Sequence, residues 1–259
     1  MQRISALCKQ LRIGDLGALA EQVVFRDRQQ FLTEILELAM EQRQQKRLQN
    51  LVHRARFPAI DMRREYLFDR ITFPQSLSQD QLLRLEFLEP KENLCFFGPC
   101  GTGKTRLATM LGLRACEQGA SVQFHRTIDL VNTLVEAYDK GRAKPLLDRV
   151  KKCDVLILDE IGFIPFTKRA AEMLFAVVSQ GYEHQSFITT SNLEFGRWNE
   201  VFGDDRLTAA MIDRIVHRSH ILSFAGPSRR LEEAMAMRRG NDTSTSDEPT
   251  SPMVEVVAP

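Results

Sequence analysis

Two short stretches of this sequence have residue types and spacing that could bind and cleave a phosphate chain. The first, Gly98–Thr105, reads GPCGTGKT and matches the pattern G-x-x-x-x-G-K-[ST] at every fixed position. An apolar run precedes it and a helix-like run follows it, the strand-loop-helix context that such a loop requires. Glycines let backbone N–H groups turn toward an anion, and a helix N-terminus adds positive potential. The stretch therefore predicts a site for a nucleoside triphosphate.

The second stretch is an acidic pair, Asp159 and Glu160, directly after the apolar run 155–158. In a phosphate loop of this pattern, Lys104 reaches the β- and γ-phosphates and the Thr105 hydroxyl binds Mg²⁺. Asp159 would hold the same Mg²⁺ through water, and Glu160 would activate the attacking water. A lone aspartate would suit a kinase or a GTPase equally well, so the pair favours ATP hydrolysis.

A third polar position follows another β-branched run. Ser186–Ser191 reads SFITTS and is followed by Asn192, 33 residues after Asp159. Since the carboxyl ends of parallel strands meet at one edge of a sheet, Asn192 is expected to reach the γ-phosphate or the attacking water.

Alternating strands and helices must position these residues. The pattern predicts strands at 93–97, 121–125, 154–158, 185–190 and 220–224, and helices at 104–118, 128–140, 145–152, 168–182 and 206–217. This alternation is typical of an α/β domain with a parallel sheet, and the continuously apolar run 155–158 indicates a strand covered on both faces.

The front of the chain has a different pattern. Helical spacing of apolar residues predicts a first short helix patterned by Leu7, Leu11 and Ile13, a second from Leu16 to Val24 that Asp15 caps, and a long helical stretch from Asp27 to Arg56. Pro58 ends this stretch, and a connector covers 59–90. With the domain boundary near 60–75, the pattern predicts a small all-helical domain at 1–70. The predicted ATPase domain covers 71–239. The acidic, Ser- and Thr-rich tail 240–259 is expected to be disordered because it cannot bury enough apolar surface.

Composition excludes several classes of protein. The chain has 259 residues and a net charge of +1, with no apolar run long enough to cross a bilayer. The lack of such a run predicts no membrane association. The five cysteines have no metal-ligand or disulfide-framework spacing, which favours a reducing, cytoplasmic location. Residues 1–72 carry thirteen Lys/Arg against nine Asp/Glu, a net +4 that permits contact with nucleic acid.

The combined motifs resemble a known family. Gly98–Thr105, Asp159–Gly162 and Thr190–Asn192 together look like an AAA+ ATPase with its three-layer P-loop domain. The segments 190–204 and 212–217, which read TSNLEFGRWNEVFGD and IDRIVH, resemble the IstB family of transposition helper ATPases, relatives of the DnaC helicase loaders. The front-end segments 11–16 and 54–58 are similar to that family's N-terminal helices.

The resemblance implies further site residues. AAA+ proteins bind ATP between subunits, and Arg214 matches the position from which a neighbouring subunit reaches the γ-phosphate, with Arg206 as a rival. The family's closing motif Gly-x-Ser-Tyr-Arg reads GPSRR here, so Arg230 aligns with the second sensor arginine and Arg229 replaces the tyrosine. The expected catalytic residues are Glu160, Lys104, Asn192 and Arg214; the expected nucleotide-binding residues are Gly98, Pro99, Cys100, Gly101, Thr102, Gly103, Lys104, Thr105, Arg106 and Arg230; the expected Mg²⁺ ligands are Thr105 and Asp159.

The resemblance also implies a function and partners. It predicts an ATP-dependent transposition helper that forms a ring or helical filament on duplex DNA, remodels or marks the target and recruits a transposase. The alternatives are a DnaC-like loader of a replicative helicase and a DNA scaffold that binds ATP without hydrolysing it. Intact Lys104, Asp159 and Glu160 disfavour the scaffold.

The DNA-contacting residues are less well specified by the sequence. The basic stretch 140–152 and the pair Lys168–Arg169 could track a phosphate backbone, or they could be solvated loops. The same two interpretations apply to the Gln-rich segment 41–47, which is either a solvated helix face or a contact for DNA or a partner.

Overall fold

The computed structural model describes residues 8, 14, 16–24, 27–61, 65–232 and 235. Leu7, Leu11 and Ile13 of the first predicted helix, together with Asp15 and the tail 240–259, lie outside the described residues. A short helix, α1 (Leu16–Ala20), ends four residues earlier than the sequence predicts. It packs against the long helix α2 (Arg28–Ala55).

Helix α2 begins and ends as its sequence predicts. The side chain of Asp27 accepts hydrogen bonds from the backbone N–H groups of Gln29 and Gln30, and so caps the first turn. The helix ends at Ala55, and Arg56 takes a left-handed conformation two residues before Pro58.

The connector predicted for 59–90 contains regular structure. It includes a two-residue strand, β1 (Ile71–Thr72), and a short helix, α3 (Gln79–Arg84). Ser78 and Gln81 form a reciprocal capping box at the start of α3. This S-x-x-Q signature was the signal in the sequence for a helix here.

The rest of the described chain alternates as predicted. Its elements are β2 (Asn93–Phe97), α4 (Lys104–Glu117), β3 (Val122–Arg126), α5 (Thr127–Asp139), α6 (Ala143–Val150), β4 (Val155–Ile161), α7 (Lys168–Gly181), β5 (Ser186–Ser191), α8 (Asn199–Phe202), α9 (Asp205–Val216) and β6 (Ser219–Phe224). A 3₁₀ turn, Phe195–Arg197, precedes α8.

The strands form one six-stranded sheet in the order β1-β6-β2-β5-β4-β3. Strands β6, β2, β5, β4 and β3 run parallel to one another, and the edge strand β1 is antiparallel to β6. Helices cover both faces of the sheet, and each face has its own hydrophobic core. Successive β4 side chains enter these cores in turn: Leu156 and Leu158 lie on one face and Ile157 on the other. The predicted three-layer α/β fold is confirmed.

Strand β4 differs from its prediction at its C-terminal end, which contains the acidic pair. The sequence predicts that it ends at 158, whereas it continues to Ile161 across an irregularity in its pairing with β5. Asp159 and Glu160 therefore lie within a distorted strand and not after it. At Glu160 the backbone takes φ 60, which turns its side chain away from the regular strand alternation.

The C-terminal half of α2 belongs to the same core as the sheet. Ala55 is buried there, and Leu48, Leu51 and Val52 pack against it. The division into domains at residue 70 stays a prediction. None of the helices in the described ranges combines the length and apolar character needed to span a membrane.

Candidate nucleotide site

The loop between β2 and α4 is shaped by glycines with close neighbours. Gly98 takes φ 143, and a Cβ there would lie 2.1 Å from the carbonyl oxygen of Phe224. Gly101 takes φ 79, and a Cβ there would lie 2.1 Å from Oγ of Ser228. Within the loop, the Thr102 hydroxyl donates to the carbonyl of Pro99. Phe224 at the end of β6 and Ser228 after it therefore pack directly against the glycines of the phosphate loop.

Lys104 directs its ammonium group into the loop. Its Nζ donates hydrogen bonds to the carbonyls of Gly98 at 2.6 Å and Pro99 at 2.7 Å. Burial lowers the pKa of Lys104, and the positive charge of Arg230 also lowers it, while Asp159 acts in the opposite direction. The two hydrogen bonds hold the ammonium group at the loop, where an anion would meet it, and only 8% of the residue is exposed.

Thr105 and Asp159 meet at the carboxyl edge of the sheet. The Thr105 hydroxyl donates to Oδ1 of Asp159 at 2.9 Å, and the Thr190 hydroxyl donates to the same oxygen at 2.6 Å. Burial raises the pKa of the Asp159 carboxyl, and the two hydroxyl donors oppose that rise. A buried carboxylate beside a hydroxyl fits Mg²⁺, which binds proteins through one or two oxygens and completes its shell with phosphate and water. No cluster of three His, Cys, Asp or Glu ligands occurs among the described residues.

Glu160 has a different environment from its neighbour. Its backbone N–H donates to the Thr190 hydroxyl, while its carboxylate accepts bonds from Nη2 of Arg126 at 2.9 Å and from Nε at 3.3 Å. The Arg126 side chain of this ion pair is 57% exposed and the Glu160 side chain 41%. The carboxylate is therefore open to solvent and to water near the loop, as a general base must be.

Asn192 follows β5, which lies between β2 and β4. The carbonyl of Ser191, its neighbour, accepts a hydrogen bond from the N–H of Gly98. Asn192 is exposed at this edge, next to the first residue of the phosphate loop. The structure thus brings Asn192 to the same edge as Lys104 and Glu160.

The two arginines proposed to act on a neighbouring subunit's ATP differ in exposure. Arg214 is half-buried: its guanidinium lies 4.8 Å from the ring centroid of Phe175 and donates to the carbonyl of Ala210. Arg206, at the start of α9, is exposed.

Arg229 and Arg230, in the segment after β6, have different surroundings. The backbone N–H of Arg229 donates to the carbonyl of Gly101, and its guanidinium bonds the Asp69 carboxylate. Arg230 is close enough to influence the pKa of Lys104. Arg229, the residue that replaces the family's tyrosine, is therefore occupied by Asp69, and Arg230 remains the candidate for phosphate.

The structure adds residues that the sequence did not indicate. The hydroxyl of Tyr66 donates to the carbonyl of Gly103, and the guanidinium of Arg106 lies 5.7 Å from the Tyr66 ring centroid. Thr190 bridges Asp159 and the Glu160 backbone, and Arg126 pairs with Glu160. No spacing rule links Tyr66 or Arg126 to the loop. Thr190 had one signal, its place at the end of a strand beside Asn192.

The exposed Cys100 lies in the loop, and Trp198 is fully buried. Trp198 contacts Phe97, Phe195 and Phe202, and so packs around the loop after β5.

Comparisons with known proteins also indicate an ATP-binding protein. Residues 8–236 match the family described as IstB-like ATP binding protein. The chain is 37% identical over 209 residues to an ATP-binding protein of insertion sequence IS5376 from Geobacillus stearothermophilus, covering 79% of this chain and 81% of the relative. It is 33% identical over 242 residues to the corresponding protein of insertion sequence IS21 from Pseudomonas aeruginosa, covering 90% of both.

Two solved structures are similar to this chain at a more distant level. The DnaC helicase loader is 24% identical, with a TM-score of 0.47 over 59% of this chain and 93% of that chain. DnaI is 18% identical, with a TM-score of 0.49 over 70% of this chain and 93% of that chain.

Proposed function

The chain belongs to the IstB-like family of ATP-binding proteins and is an ATPase of the AAA+ class, and we propose that it is the ATP-dependent helper of an insertion sequence. In this role it assembles on duplex DNA, remodels or marks the target site, and recruits or activates a transposase. The observation that carries the proposal is the match along 90% of both chains to the IS21 ATP-binding protein. That match includes the N-terminal region as well as the nucleotide site.

The proposed chemistry divides the site into three tasks. Residues 98–106 and Arg230 bind the nucleotide, with Lys104 placing a positive charge on the β- and γ-phosphates. Thr105 and Asp159 would hold Mg²⁺, which supplies charge neutralisation at the phosphates when bound. Glu160 accepts a proton from water, and Asn192 orients that water or the γ-phosphate.

Hydrolysis is proposed to require a second copy of the chain. An arginine delivered from a neighbour stabilises the charge that develops on the transferring phosphoryl group, so turnover depends on assembly. We assign this role to Arg214, with the exposed Arg206 as the rival. For Arg214 to act, its guanidinium must leave Phe175 when two protomers meet.

Mixing experiments test this assignment. Arg214→Ala and Lys104→Ala are each expected to be inactive alone, and mixing them should restore part of the turnover because one intact shared site can form. The same mixture with Arg206→Ala in place of Arg214→Ala distinguishes the rivals. Absence of rescue in both mixtures would contradict an arginine acting between protomers.

The main alternative is a loader of a replicative helicase. Under the helper proposal, the predicted domain 1–70 binds duplex DNA and the transposase; under the alternative, it binds a helicase. The insertion-sequence names of the relatives favour the helper.

The decisive experiment measures ATP turnover by the full chain alone, with duplex DNA, and with duplex DNA plus the proposed partner transposase. The helper proposal expects stimulation in the last two conditions. Stimulation by the host replicative helicase in place of transposase and duplex would contradict it and support the loader.

A further inference from the structure

The C-terminal half of α2 carries a band of positive charge that the nucleotide site does not use. Between Gln42 and Ile60 the sequence contains five Lys/Arg and no acid. Arg43, Lys46, Asn50 and Arg54 recur at helical spacing, together with Arg47. With about 100° of rotation per residue, these five positions occupy one side of the helix. We call them the basic face of α2.

The basic face is exposed because the opposite side of the helix is in the core. Its five side chains are all exposed, while Leu48, Leu51, Val52 and Ala55 pack toward the sheet. The basic residues border an open concavity of about 450 Å³ in which Leu51 is the one apolar contributor. The acids of the same helix, Glu34, Glu37 and Glu41, border a different concavity near α1.

The charges of this face have no acidic partner in the described part of the chain. No salt bridge there involves Arg43, Lys46 or Arg54, whereas Arg70, Arg126, Arg197 and Arg229 each pair with a carboxylate. Arg47 is held by a hydrogen bond to the carbonyl of Gly119 at 3.3 Å. An exposed, unpaired row of cations on a rigid helix is suited to a polyanion.

A second group of cations adjoins the helix at the edge strand β3. Helix α2 packs along β3, and Gln123 of that strand donates to the backbone carbonyl of Arg149 in α6. Burial, together with the positive charges of Arg56 and Arg149, lowers the pKa of His125 to about 4. Arg56, just past α2, and Arg149 therefore converge on the same edge strand.

Shape and residue type favour duplex DNA over a single strand. Residues 43–54 extend along about 16 Å of helix, long enough to face several phosphates, which in a duplex recur about every 1.7 Å along its axis. Proteins that bind single strands use aromatic side chains as stacking platforms, and the basic face contains none.

We propose that the basic face of α2 is the surface on which this chain holds the phosphate backbone of duplex DNA. The assignment rests on the proposed function, which requires DNA binding without saying where it occurs. Phosphate contacts of this kind fix position and affinity and carry no sequence information. Sequence preference would therefore not depend on this face.

The test compares two sets of charge removals in the full chain with a non-hydrolysable ATP analogue present. One variant is Arg43→Gln/Lys46→Gln/Arg54→Gln. The matched control, Lys140→Gln/Arg142→Gln/Lys144→Gln, removes the same charge from the rival basic stretch. Arg47 stays in both because its bond to Gly119 would confound folding with binding. Circular dichroism and ATP-analogue affinity check that each variant folds.

Affinity for a 40-base-pair duplex is measured by fluorescence anisotropy across salt concentrations. Each phosphate contact steepens the slope of log affinity against log salt by about 0.9. The α2 variant removes three cations, so its slope should be shallower than that of the wild type by about 2.7 per bound protomer. A fourfold rise in salt then weakens the wild type more than the variant by about 40-fold per protomer. Arg43→Lys/Arg54→Lys should keep the wild-type slope.

Each outcome decides a separate point. The assignment would be overturned if the α2 variant kept the wild-type salt slope. It would also be overturned if the chain preferred single-stranded DNA to the duplex and the α2 variant lost the same slope on the single strand. If only the control variant loses slope, the stretch 140–152 is the contact and DNA binding stands. If the wild-type chain binds no duplex even at low salt, the proposed function itself fails.

Discussion

The nucleotide site and the basic face of α2 both hold positive charge, but in opposite ways. At the phosphate loop, Lys104 is buried and bonded to two carbonyls, and Asp159 is fixed by two hydroxyls. On α2, Arg43 and Arg54 are exposed and have no salt-bridge partner in the described residues. The first arrangement gives fixed geometry, which chemistry needs. The second gives charge that can follow an irregular partner and that salt weakens.

The largest expected effect separates turnover from binding. Glu160→Gln should lower ATP turnover by about 10²–10⁴-fold, because the amide cannot accept the proton from water. Affinity for ATP and for duplex DNA should be retained. Glu136→Gln, an exposed change on α5, is the matched control, and equal hydrolysis by Glu160→Gln and the control would refute the assignment of the base.

Removing the buried cation should affect binding next. Lys104→Ala is expected to weaken ATP affinity by about 100-fold, since loss of a buried charge partner costs about 2–5 kcal/mol. Nucleotide affinity by calorimetry is the readout, with the exposed Lys152→Ala as control. If both variants bound ATP equally, Lys104 would not contact the phosphates.

The rigidity of the loop can be tested through stability. Gly98→Ala should lower the free energy of unfolding by about 2 kcal/mol or more, because its Cβ would meet the backbone oxygen of Phe224. Gly196→Ala has open space around it and should be nearly neutral. Denaturant unfolding of the two variants measures the contrast, and similar midpoints would show that the loop can adapt.

The smallest effect should come from the exposed ion pair. Arg126→Gln removes the partner of Glu160, and exposed pairs contribute about 1 kcal/mol at most. Turnover should therefore change by less than about fivefold, with any change an increase as the carboxylate is freed. A loss approaching that of Glu160→Gln would instead make Arg126 part of the catalytic machinery.

Local patterns were enough to predict the fold class and the linear motifs. The conformations of the phosphate loop and of the strand carrying Asp159 depend on residues close by in the sequence, so residue types and their spacing predict them. The irregularity in β4 depends on pairing with β5, a partner about 30 residues away. No local pattern in 155–161 indicates it, and the predicted strand was therefore too short.

Contacts over long sequence separations explain what the sequence missed at the site. Tyr66 reaches Gly103 from 37 residues away, and Arg229 bonds Asp69 across 160 residues. Such pairs follow from the three-dimensional path of the chain and not from periodicity. The bond between Arg229 and Asp69 favours Arg230 as the arginine that contacts phosphate, and that assignment stays a prediction.

The order in which the sheet is completed has a consequence for synthesis on the ribosome. Strand β2, which leads into the phosphate loop, lies between β5 and β6, and its Phe97 is paired with Ser223 in the last strand. At about 5–20 residues per second, roughly 6–25 seconds separate translation of these two positions. During that interval the apolar strand 94–97 lacks its neighbour β6, so the nascent chain is expected to need protection from aggregation until β6 emerges.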